Sequence, residues 1–123
     1  ATSGNTATFD ANATSQKYFK RGNKVTIQGR LDNIDTTGMT AGNLLFIQGL
    51  PFAASTTDYS TGNCQLSEIT ISGAYVVPLT QGAGSTTAMY FSDINTAATK
   101  TSIKVSDVTA ATADIFFTLT YSI

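Results

Sequence analysis

Apolar and polar residues alternate along much of this chain with a period of two, the spacing of a strand that buries one face. From Lys24 to Leu31, Val25, Ile27, Gly29 and Leu31 fall on one side and Lys24, Thr26, Gln28 and Arg30 on the other. The last segment repeats the pattern, with Ile115, Phe117, Leu119, Tyr121 and Ile123 opposing Phe116, Thr118, Thr120 and Ser122. Ile69, Ile71, Gly73, Tyr75 and Val77 alternate with Thr70, Ser72 and Ala74, which predicts a further strand. Pro78 ends that strand or places it at a sheet edge, because proline donates no ladder hydrogen bond. Ala88–Phe91 predicts a short strand, and Ile103 and Val105 form another alternating pair. Leu44-Leu45-Phe46-Ile47 is continuously apolar, which fits a strand covered on both faces or one meeting another subunit.

The connections are polar. Residues 33–42 are rich in Asp, Thr and Gly and predict a loop. Residues 53–63 predict a long loop carrying Tyr59, and residues 81–85, with Gly82 and Gly84, predict a turn. Ser92 and Asp93 are placed to cap a short helical turn near residues 94–98. No segment keeps a helical stripe over about ten residues. About seven or eight short strands predict an all-β fold, an antiparallel β-sandwich of jelly-roll-like form. Residues 9–123 read as one domain, and residues 1–8 as a linker or a cut N-terminus.

Composition sharpens this picture. The chain has 123 residues, 41% of them hydrophobic and only 12% charged, about half the usual charged share. Serine and threonine fill the gap, so much of the surface is hydroxyl and amide, a composition common in extracellular β-structure and virion surface proteins. Net charge is −1 and pI about 5.0, which does not steer the chain to nucleic acid. Lys17, Lys20, Arg21 and Lys24 nevertheless cluster, as a solvated strand edge or a contact surface. No apolar run approaches the ~20 residues that span a bilayer, so no membrane insertion is expected. Cys64 is the only cysteine, which excludes an intramolecular disulfide and reads as a small, part-buried residue. Asn12-Ala13-Thr14 fits a glycosylation sequon.

Histidine is absent, which removes Ser-His-Asp and Cys-His nucleophile pairs and His-based metal sites. No phosphate-binding glycine loop or dinucleotide fingerprint occurs. Paired carboxylates are the remaining enzymatic option, but the acids fall mostly in turns and at strand ends, where Asp caps backbone locally. No loop has the dense acidic pattern of a calcium site, and no cofactor or metal is expected. Tyrosine, with an apolar ring and a polar tip, suits wet binding surfaces and sugar faces. Tyr59 with Asp58, and Tyr90 with Asp93, are the candidate glycan contacts. Phe116, on an otherwise polar strand face, is the candidate subunit contact, together with Leu45 and Ile47.

A wider pattern is carried by Tyr18, Gly22-Asn23-Lys24-Val25-Thr26-Ile27-Gln28-Gly29-Arg30, Leu45-Phe46-Ile47-Gln48-Gly49-Leu50-Pro51-Phe52 and Phe117-Thr118-Leu119-Thr120-Tyr121. In this order, over residues 15–123, it resembles a C-terminal domain found at the ends of bacteriophage tail fibres and tailspikes. The resemblance implies a β-sandwich tip of a homotrimeric virion fibre, extracellular, which assists assembly and binds host surface glycans without catalysis. It transfers no ligand-binding triad, so the matched residues read as structural. The alternatives are a purely structural trimerisation cap, a capsid decoration or head-fibre protein without ligand, and a polysaccharide-degrading enzyme.

Overall fold

The computed structural model describes residues 5–10, 16–73, 75–80, 86–94 and 100–123. Eight strands follow in chain order: β1 (Lys17–Arg21), β2 (Lys24–Ile34), β3 (Phe46–Gln48), β4 (Thr61–Ser67), β5 (Tyr75–Leu79), β6 (Ala88–Ile94), β7 (Lys100–Ser102) and β8 (Ala113–Ser122). They form two antiparallel sheets. One has the order β1-β2-β8-β4; in the other β6 lies between β3 and β5 and also pairs with β7. The all-β antiparallel sandwich expected from the alternation is the fold observed.

The core is made by the rows the alternation identifies. Val25, Ile27 and Leu31 of β2 and Ile115, Phe117, Leu119 and Tyr121 of β8 are buried, and they meet Met89 and Phe91 of β6 in one cluster. Each fully buried side chain of this size contributes roughly 1.5–3 kcal/mol relative to exposure. Phe91 and Phe117 meet edge to face across the sandwich, with centroids 6.3 Å apart. Phe117 also lies over the backbone of Gly29, its register partner on β2. β1 and β2 are joined by Gly22-Asn23, with Arg21 opposite Lys24. Gly22 has φ +59°, the first central position of a two-residue hairpin turn that suits glycine.

Several predicted boundaries move. β4 begins at Thr61, inside the expected loop 53–63. Its inner row is Gly62, Cys64 and Leu66, too small and mixed to give a hydrophobic signal. The strand expected over Ile69–Val77 starts only at Tyr75; Ile69 makes an isolated bridge to Val108. Ser92 and Asp93 lie within β6, whose residues from Ala88 to Asp93 are all buried. Val105 opens a 3-10 turn rather than a strand. β2 continues into the predicted loop as far as Ile34, with an irregularity between Leu31 and Ile34 that the Asp114 carboxylate bridges by accepting from Asn33 N–H at 2.9 Å. Residues 81–85, most of the expected helical turn and the Asn12 sequon lie outside the described residues.

A Cβ at Gly29 would stand 2.4 Å from the Phe117 ring. Gly29→Ala is expected to displace that ring from Phe91 and destabilise the fold by about 1–3 kcal/mol, read as a lower urea midpoint at unchanged slope.

Candidate functional site

Tyr18, Phe52 and Tyr121, three of the residues quoted for the resemblance, meet at one joint between the sheets. Tyr121 Oη donates to the Phe52 carbonyl at 3.0 Å, tying the last strand to the segment after β3. Burial raises the Tyr121 phenol above its ordinary range, so the hydroxyl stays a donor. Tyr18 packs edge-on against the Phe52 ring at 5.6 Å, and Lys20 Nζ sits 5.1 Å from the same ring centroid. Gly49 takes φ +87° before Leu50, which enters the core. These residues hold the two sheets together at one end of the sandwich.

The strand register fixes the opposite, outer face of the four-stranded sheet. Lys17, Gln28, Thr118 and Asn63 form one row across β1, β2, β8 and β4. Phe19, Thr26, Thr120 and Thr61 form the next, and the Thr26 and Thr120 hydroxyls bond at 2.8 Å. Arg21, Lys24 and Ser122 lie at the hairpin end, where Lys24 Nζ donates to Ser122 Oγ. Arg30, Phe116 and Gln65 lie toward the far end. There the Arg30 guanidinium is 4.7 Å from the Phe116 centroid and pairs with Asp32 at 2.7 Å. Asp32 holds the Arg30 pKa above its usual value, chiefly by that hydrogen bond. Phe116 and Arg30 border a shallow depression of about 580 Å³ with Gln28, Asn63, Gln65 and Thr118.

The candidate glycan residues separate into two groups. Tyr59 is 79% exposed, and Asp58 beside it is exposed. Their loop is shaped by Ser55, whose Oγ accepts from the backbone N–H of Thr57 and Asp58 at 3.3 and 3.2 Å. Ser55 N–H donates to the Ser122 carbonyl at 2.7 Å, and Ile123 N–H donates to the Asn23 carbonyl at 2.9 Å. The Tyr59 loop and the β1–β2 hairpin therefore occupy the same end of the four-stranded sheet. Tyr90 and Asp93 do not join them. Tyr90 is 6% exposed and packs on Phe46, because β6 is covered on both faces. Asp93 is 2% exposed, and its Oδ2 accepts from Ser72 N–H, Ser72 Oγ and Gly73 N–H at 2.7, 3.2 and 2.9 Å. Both are corrected from surface contacts to internal residues.

Of the expected subunit contacts, Phe116 stands on the outer face at 36% exposure and Ile47 is half-buried at the mouth between the sheets. Leu45 is corrected: it lies just before β3 and packs in the core, where it is 6% exposed. Sequence reasoning missed the outer-face rows of β1 and β4. Polar alternation in Thr61, Asn63, Gln65 and Ser67 was the available signal. Among the described residues no group of three or more Cys, Asp or Glu is arranged to hold a metal ion. No family model, curated protein or solved structure matches the chain.

Two outcomes test these placements. Asp93→Ala leaves the Ser72 and Gly73 N–H groups without their acceptor and is expected to cost about 2–3 kcal/mol in denaturant unfolding. Burial pushes the Cys64 thiol up to about 11, and it donates to the Val76 carbonyl at 3.4 Å. At pH 8 the folded protein is expected to react with a thiol-specific disulfide reagent roughly a hundredfold more slowly than the denatured chain. Because the folded pKa is the higher one, the thiol's stabilising contribution is whole below pH 9.0 and is lost as pH rises toward about 11.

Proposed function

We propose that this chain is the non-catalytic C-terminal β-sandwich of a phage tail fibre or tailspike, a virion domain that assembles as a homotrimer and recognises a host cell-surface polysaccharide. The observation that carries the reading is the uncovered outer face of the four-stranded sheet. Across β2, β8 and β4 its central rows are threonine, glutamine and asparagine, the neutral donors and acceptors that orient sugar hydroxyls. Exposed Tyr59 stands at the same end of that sheet, and Asp58 beside it adds a carboxylate acceptor.

Assembly and recognition divide the face between them. Phe116, supported by Arg30, offers an apolar contact at the far end, away from the hairpin. Ile47 offers a second one at the mouth of the sandwich. Trimer closure would also shield exposed sheet edges, of which β1 is one. Three copies displayed together convert weak single-site sugar contacts into useful avidity. The fibre assignment rests on the ordered motif from Tyr18 to Tyr121. Three of its residues, Tyr18, Phe52 and Tyr121, have a structural role in common: they close one end of the sandwich.

Light scattering after size exclusion is expected to give about 39 kDa, three chains of 12.9 kDa. Phe116→Glu is expected to lower that mass. Tyr59→Ala should keep the trimer and weaken binding on a bacterial polysaccharide array by roughly five- to tenfold. A monomer at high concentration would remove the assembly claim. A trimer that binds no polysaccharide would be a structural cap.

A further inference from the structure

We infer that the polysaccharide bound at the hairpin end is acidic, a chain bearing carboxylate or phosphate groups, and that Lys17, Phe19, Arg21 and Lys24 hold it. The inference rests on the glycan reading above and names its chemical class and its site.

Charge is the first ground. The chain has seven Lys and Arg residues and a net charge of −1, yet four of the seven lie between Lys17 and Lys24. None of the four makes an ion pair among the described residues, where the ion pair is Arg30–Asp32. All five residues of β1 are exposed. Lys20 is accounted for by Phe52, over whose ring it lies. The remaining three cations have no carboxylate partner in the described fold.

Register is the second ground. Lys17, Phe19 and Arg21 pair with Gln28, Thr26 and Lys24, so all six share the outer face. Lys17 and Arg21 stand about 13 Å apart along the strand, with Phe19 between them. Lysine on an edge strand is ordinarily a guard against unwanted pairing. That role does not account for Phe19, which is 67% exposed on the same face and would itself promote association. A cation, an aromatic ring and a second cation in line suit a sugar chain: the ring meets the apolar face of a sugar, and the flanking charges meet acidic substituents. Arg21 presents a planar fork that takes a carboxylate or phosphate through two hydrogen bonds; Lys17 and Lys24 act as point charges. Thr26 and Thr120 continue the row with hydroxyls.

A nucleic acid is the other polyanion to weigh. The acidic pI of about 5.0 opposes it, because a long phosphate backbone would leave this small patch and meet the acidic remainder. Asp32 and Asp114 lie on the sheet beyond Arg30 and Phe116, and Asp58 stands in the loop at the hairpin end, so the favourable field is confined to the strip from Lys17 to Lys24.

The test measures binding of the intact protein to uronate oligosaccharides from alginate, to phosphate-bearing teichoic acid, to neutral dextran of similar length and to single-stranded DNA of equal charge. Binding to one of the two acidic glycans, above dextran and above DNA, is expected. Raising NaCl from about 50 to about 500 mM should weaken that binding by roughly tenfold or more. Lys17→Gln with Arg21→Gln, and separately Phe19→Ala, should each weaken it by roughly tenfold at unchanged melting temperature and mass. Binding to neither acidic glycan, binding insensitive to these substitutions, or preference for DNA would overturn the inference. Tight binding of a neutral polysaccharide that ignores the charge variants would overturn it while leaving the glycan reading intact. Binding to no glycan, neutral or acidic, would remove both.

Discussion

The sandwich depends on the ring of Phe117. It fills the space above Gly29 that any side chain there would claim, and it meets Phe91 from the facing sheet. That contact lets β2 and β8 pair closely while their inner rows reach β6. β8 then lies between β2 and β4, so one strand carries the ladder of the larger sheet and the widest part of the core. Stability in a domain of this size is a small difference between large terms, and misplacing one core ring is a large fraction of it.

The same strand separates the two jobs of the sheet. Ile115, Phe117, Leu119 and Tyr121 face inward and close the core, while Phe116, Thr118 and Thr120 face outward among hydroxyls and amides. Strand geometry forces this division, since neighbouring side chains point to opposite faces. A surface built on such a strand is rigid because its reverse side is packed. That favours recognition, since little ordering is left to be done when a ligand arrives.

The joint around Phe52 brings together residues from three distant parts of the chain. Tyr18, Phe52 and Tyr121 are far apart in the chain, yet the Tyr121 hydroxyl, the Phe52 carbonyl and the Tyr18 ring meet at one place. Each needs the others: the phenol needs an acceptor because it is buried, and the Phe52 segment needs an anchor because it follows a strand of only three residues. The resulting end of the molecule brings the cationic hairpin and the Tyr59 loop onto a common rim.

The inner rows of β2 and β8 were legible in the sequence, because period-two alternation is local. The exposed loop position of Tyr59 was legible for the same reason. β4 was not, since Gly62 and Cys64 on its inner row are too small to make a strong hydrophobic signal against the polar row of Thr61, Asn63, Gln65 and Ser67. Tyrosine and aspartate ordinarily turn a polar group to water, so the burial of Tyr90 and Asp93 is not legible from their residue types. Only the tertiary structure placed them on a strand covered on both faces, where Asp93 is stabilised by the Ser72 and Gly73 amides. Leu45 and Ile47 both pack on the core, and only their degree of burial, set by position at the mouth between the sheets, separates them. That the hydroxyls of Thr118 and Thr120 on β8 and of Thr61 on β4 extend the face carrying Phe19 was decided by pairing between distant strands, and no local pattern encodes a register between residues nearly a hundred positions apart.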